Sequence, residues 1–127
     1  MDSVGRTVQA LILSATVLGV GLLFEIQPLV PAAVFDTVSV GWVLFVLDSV
    51  LTFVRPVPSY YLGLVLSVLG LSSSLTESAH WAFIQEGQLV PSTIFVAGSV
   101  IQVLIVVLVS YRTLAAVRRR GVTFGCL

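Results

Sequence analysis

A chain of 127 residues with 57% hydrophobic and 9% charged side chains, and a mean hydropathy of +1.11, lies far from a soluble domain, which carries about a quarter charged residues. Six basic and six acidic residues give a formal net charge of zero, so charge supplies no pull toward nucleic acid, and a lipid bilayer is the expected surrounding. The single Cys126 excludes an internal disulfide, a paired-cysteine redox centre and a thiolate metal cage.

A membrane helix needs about 20 mainly apolar residues. The first such stretch covers 7–24. Its apolar run exceeds that of a secretory signal and VGLLFEIQ offers no small-x-small cleavage site, so it reads as a retained span. QPLVP closes it, and a second span follows over 32–54. RPVPS separates that from a third over 59–76, open to extension as far as Phe83. EGQLVP precedes a fourth over 89–111, and a short basic tail occupies 112–127. Pro31 and Pro91 suit the first turn of a helix, where a missing N–H costs nothing. Connections this short favour antiparallel neighbours. The expected architecture is therefore one all-α integral membrane domain over 1–127, an up-down four-helix transmembrane bundle.

Four spans bring Arg6, Arg55, Arg112, Arg118, Arg119 and Arg120 to one side. Glu25, Glu77, Glu86 and Asp36 fall toward the other, which has no Arg. The positive-inside bias then places both termini in the cytoplasm of a protein of the cell membrane. Tyr60, Tyr61 and Tyr111 fall at the inner interface and Trp81 with Phe83 at the outer one, as aromatic belts. Shifting the chain by 60 residues aligns LVPAAVF (29–35) with LVPSTIF (89–95), Ser39 with Ser99, and farther back Ser14 with Ser74 and Thr16 with Thr76. Such a repeat would be two tandem parallel hairpins related by an axis along the membrane normal.

In lipid, small residues mark close helix contacts. Gly63, Ser67, Gly70 and Ser74 form such a stripe on the third helix. The strongest candidate for chemistry is Asp48, seven residues before Arg55 and so roughly 10 Å inside the boundary. An intramembrane acid is costly and faces the bundle interior. Ser14, Ser67 and Gln102 lie at similar depth on the other helices. The layer reads either as a proton or cation site or as a hydrogen-bonded anchor, satisfied by hydroxyls or by Arg55 reaching back.

Glu77 and His80 are three residues apart and share a helix face if the third helix continues that far. One His is too few for a di-iron bundle, which uses two Glu-x-x-His pairs, and a lone pair falls short of the three or four ligands of zinc. The expected role is a wet outer rim, with no metal and no cofactor. Motifs for hydrolases, P-loop enzymes, zinc proteases and dinucleotide binding are missing from the sequence, so an enzyme is not expected. The expected function is a structural or accessory subunit of a membrane assembly, with a membrane-protein partner or further copies of itself. The alternative is a small oligomeric proton- or cation-coupled transporter or channel built on Asp48.

Overall fold

In the computed structural model the described residues are 3–27 and 31–125, less the side chains of 26, 79, 80 and 122–125. They form five helices and, among the described residues, no strand: α1 (Ser3–Ile26), α2 (Ala32–Val54), α3 (Pro56–Thr76), α4 (Ser78–Gln85) and α5 (Leu89–Gly125). All but α4 are long and apolar enough to cross a membrane. The chain is an all-α, multi-pass membrane protein. Helix is what lipid dictates, because the bilayer core offers no water to satisfy an unpaired backbone group. Many hydroxyls obey the same rule: Thr7, Ser14, Thr37, Ser39, Thr93, Ser99 and Thr113 each donate to the carbonyl four residues back, at 2.7–2.9 Å.

The helices run longer than the sequence suggests. α3 starts at Pro56 rather than Ser59, so Arg55 alone makes the corner after α2. Pro56 and Pro58 read as breakers, yet they occupy the first turn, whose N–H groups have no helical acceptor in any case. α5 does not stop at Tyr111. It continues through the basic tail to Gly125, since Leu114, Ala115, Ala116 and the arginines are all good helix formers. Cys126 lies outside the described residues.

Around the bundle, α1 packs on α2 and α5, and α3 packs on the same two. α1 and α3 also touch across one diagonal, leaving α2 and α5 at opposite corners. Neighbours run antiparallel: Thr16 meets Ser49, Asp48 meets Ser59, and Gly70 lies against Gln102. Val8 and Ile12 of α1 pack with Tyr60, Ile105 and Val109, which brings the Arg-bearing ends of the helices together. The outward faces carry Val, Leu and Phe side chains such as Val50, Phe53 and Val107. With lipid outside, burial of apolar area does not hold the helices together, and close packing at small residues does. A Cβ on Gly19 would overlap the Trp42 ring, and one on Gly70 would stand 2.9 Å from the Gln102 amide nitrogen.

These two close approaches are equivalent. Trp42 and Gln102 are 60 residues apart, as are the buried pairs Phe45 with Ile105 and Ser49 with Val109. Gly19 and Gly70, however, are 51 apart, as are Ile12 with Gly63 and Ala15 with Leu66. Hairpin α1–α2 and hairpin α3–α5 thus repeat one packing pattern, with α1 and α3 facing each other across the axis. The alignment of Ser14 with Ser74 and Thr16 with Thr76 is corrected: Thr16 matches Ser67. The nine-residue difference is taken up by α4 and its lead-in.

α4 is a separate element because Glu77 is extended, with φ −83° and ψ 115°. The hydroxyls before it compete for the backbone, and Thr76 donates to the Ser72 carbonyl at 2.7 Å. Trp81 then donates its indole N–H to the Leu75 carbonyl at 2.8 Å and stacks edge-on against Phe95. Phe83 is buried with Leu22 rather than belted at the interface, because α4 folds over the end of the bundle. Gly87, at φ 71°, closes α4 with paired bonds from Gln88 to the Phe83 carbonyl and from Gly87 to the Ile84 carbonyl.

Candidate functional site

Asp48 has no exposed surface. It faces inward from the last third of α2, one turn before Thr52, which is equally buried. Across the Arg55 corner, the Ser59 hydroxyl donates to Asp48 Oδ1 at 2.7 Å. The second oxygen, Oδ2, has no hydrogen-bond partner. It points at Gly63, where a Cβ would lie only 3.0 Å from it and 3.1 Å from the Ile12 side chain. Glycine at 63 is what lets the carboxyl sit between α2, α3 and α1.

The surrounding hydroxyls fall into two groups. Thr16 and Ser49 bond each other at 2.6 Å and also donate back along their helices or to the Phe45 carbonyl. They knit α1 to α2. Thr52 and Ser67 behave differently, because both hydroxyls are buried and neither reaches the carbonyl of its own preceding turn. The Tyr60 hydroxyl is a third of this kind. A buried hydroxyl without a partner carries a penalty of about 1–3 kcal/mol in proteins, so three of them on the helices that hold a half-bonded carboxyl set this region apart from ordinary packing.

Placement departs from expectation at several positions. Ser67 joins the Asp48 region. Ser14 does not: it is exposed and bonds the Ala10 carbonyl at 2.8 Å. Thr16, two residues on, holds the inward position on α1. Arg55 is also exposed and gives no hydrogen bond to Asp48 Oδ2, since the corner turns its side chain outward. Gln102 is buried, but opposite Gly70, about two turns along α3 from Gly63. The stripe Gly63, Ser67, Gly70, Ser74 faces inward, its first two members buried and its last two half-buried. Glu77 and His80 do not share a helix, because the extended Glu77 separates α3 from α4. The His80 side chain lies outside the described residues. Among the described residues no three His, Cys, Asp or Glu side chains gather as a metal site.

On the Arg-bearing side an apolar cluster lies beside the buried, unbonded hydroxyls of Thr52 and Tyr60. Val8, Ile12, Tyr60, Ile105 and Val109 are all buried there, and the Arg112 guanidinium sits over the Tyr60 ring at 4.7 Å from its centroid. Tyr60 is therefore a core residue rather than a belt residue. On the other side α2 and α3 splay apart as they leave the corner. Two adjoining hollows of about 310 and 220 Å³ share Thr37, Val38, Ser73 and Ser74. Together they make a lateral cleft that begins at Phe45, Leu66 and Gly70, has Gln102 on its floor, and reaches Glu77 at its mouth.

Sequence reasoning missed Ser59, the direct partner of Asp48, because it stood at the expected start of a span. The signal was available: Asp48 lies about two turns before the Arg55 corner and Ser59 about one turn after it, close enough for side chains of adjacent antiparallel helices to meet. Compared with family models, with curated proteins and with solved structures, this chain matches none of them.

Proposed function

We propose that this chain is a structural or accessory subunit of a membrane assembly, seated in the cell membrane with both termini in the cytoplasm. The observation that carries this reading is the apolar packing in the Arg-bearing half of the bundle. Four buried aliphatic side chains, Tyr60 and its Arg112 stack fill the space between α1, α3 and α5 there, where a conduit would need a continuous polar lining. The outward apolar faces and the exposed basic extension of α5 remain as contact surfaces for a membrane-protein partner or another copy of the chain. A specific feature favours a second reading, a proton- or cation-coupled transporter: the unpartnered Asp48 Oδ2. One preparation separates the two. Protein extracted from its native membrane in mild detergent should carry a stoichiometric partner by mass spectrometry, and the purified chain alone in liposomes should pass no protons under an imposed gradient. Proton flux from the chain alone, lost in a folded Asp48→Asn variant, would overturn the subunit reading.

Orientation has its own test. In a Cys126→Ser background, Gln27→Cys should react with an impermeant thiol reagent applied to intact cells, and Gly121→Cys should not. Both positions are exposed, so access and not burial decides the outcome. Labelling of Gly121→Cys from outside would reverse the assignment.

A further inference from the structure

Asp48 lies between an apolar cluster on one side and a cleft on the other. The cluster carries Arg112 over the Tyr60 ring, and that fixed cation opposes entry of a positive charge from its end, although the buried hydroxyls of Thr52 and Tyr60 also lie on that side. Toward the Glu77 end, the cleft stops at Phe45, Leu66 and Gly70. Phe45 precedes Asp48 by three residues and Leu66 is adjacent to Ser67, so the carboxyl lies about one helical turn, roughly 5 Å, beyond the cleft. Along α3 the small-residue face runs from Ser74 and Gly70, which line the cleft, through Ser67 to Gly63, against which Oδ2 lies.

We propose that Asp48 is a proton-binding site that exchanges with the Glu77 end of the bundle, through the α2–α3 cleft. The proposal takes from the second reading only that the acid binds a proton; it requires no flux and is independent of whether a partner is present. The donor set fits a proton. A hydroxyl both donates and accepts, so Ser59 serves Oδ1 in either state. Asp48 lines neither hollow of the cleft, and a proton, unlike a metal ion, needs no added volume. Other titratable or charged groups near the acid are few. α3 contributes Tyr60, α5 contributes Arg112 over that ring, and the α1 residues packed there, Val8, Ile12, Ala15 and Thr16, carry no charge. Along α2, Asp36 lies at the far end and Arg55 is exposed at the corner.

The test is infrared spectroscopy of the full chain in lipid vesicles of one orientation. A protonated-carboxyl band should be present in wild type, missing in Asp48→Asn, and should vanish when pH is raised at the Glu77 face alone. Filling the cleft with Gly41→Leu should slow hydrogen–deuterium exchange of that band by roughly tenfold or more. Gly41 is suited to this because a Cβ there meets nothing within 4 Å; Ser73→Leu fills the same cleft from α3. Thermal melts run in parallel establish that each variant is folded. A band that follows pH at the Arg55 face and not at the Glu77 face, or exchange unchanged in both cleft variants, would overturn the access route. No Asp48 band in folded wild type at any pH would overturn the site itself, while leaving the subunit reading to its own co-purification test.

Discussion

Gly19→Ala is expected to destabilise the bundle by about 1–3 kcal/mol, the usual cost of forcing extra atoms into a packed core. The added methyl overlaps the six-membered ring of Trp42, and a ring cannot yield as the tip of a flexible side chain can. α1 and α2 must then separate, which also strains the Thr16–Ser49 bond one turn away. The variant to set beside it is Trp42→Leu, which trims the ring and opens a gap of its own. Combined with Gly19→Ala, it should recover part of the loss, so that the double mutant is more stable than the two single effects added together. Thermal unfolding in one detergent across the four proteins measures this. Simple additivity would show that the Gly19–Trp42 approach does not hold the hairpin.

An equally large effect is expected at Gly63→Leu, with Gly41→Leu as its counterpart on the neighbouring helix. At Gly63 the first added carbon meets Asp48 Oδ2 at 3.0 Å and Ile12 at 3.1 Å, and the rest of the leucine has only the α1–α3 diagonal to enter. The acid, its Ser59 bond and the facing helix must all move, at a cost of several kcal/mol when overpacking, backbone shift and loss of a buried hydrogen bond combine. At Gly41 the same side chain enters open space and should change stability by less than about 0.5 kcal/mol. The comparison holds residue types fixed and varies only the site. Similar melts for the two would mean that α1 and α3 do not approach each other at Gly63.

The spans were legible because lipid demands a long apolar helix, and composition alone carries that demand. Their ends were not, since Pro56 and the arginines after Tyr111 read as stop signals although a helix accepts both in those positions. Asp48 stood out as the acid in an apolar run, and Ser67 followed from the small-residue stripe. Ser14 was misplaced because depth along a helix was read without the angle around it. The sequence does hold the correction: Leu11, Leu13, Val17, Leu18 and Gly19 match Leu62, Leu64, Val68, Leu69 and Gly70, with Thr16 opposite Ser67. That register hides behind the 60-residue match, because α4 lengthens the second hairpin and shifts the offset between α1 and α3 to 51. The cleft left no trace in the sequence. It lies between α2 and α3, where Gly41 and Gly70 add no side chain to its walls.

α5 runs without a break from Gln102, on the floor of the cleft, to Arg120, a distance of about 27 Å along its axis. Taken as a rigid rod over that length, it is a lever whose near end sits in the bundle and whose tip carries Arg118, Arg119 and Arg120, with Arg112 stacked on Tyr60 between the two. A tilt of about 5° at Gln102 would move the arginine tip by roughly 2 Å, enough to make or break a charged contact. Whatever shifts the fit between Gln102 and Gly70 is therefore felt, enlarged, at the far end of the same helix.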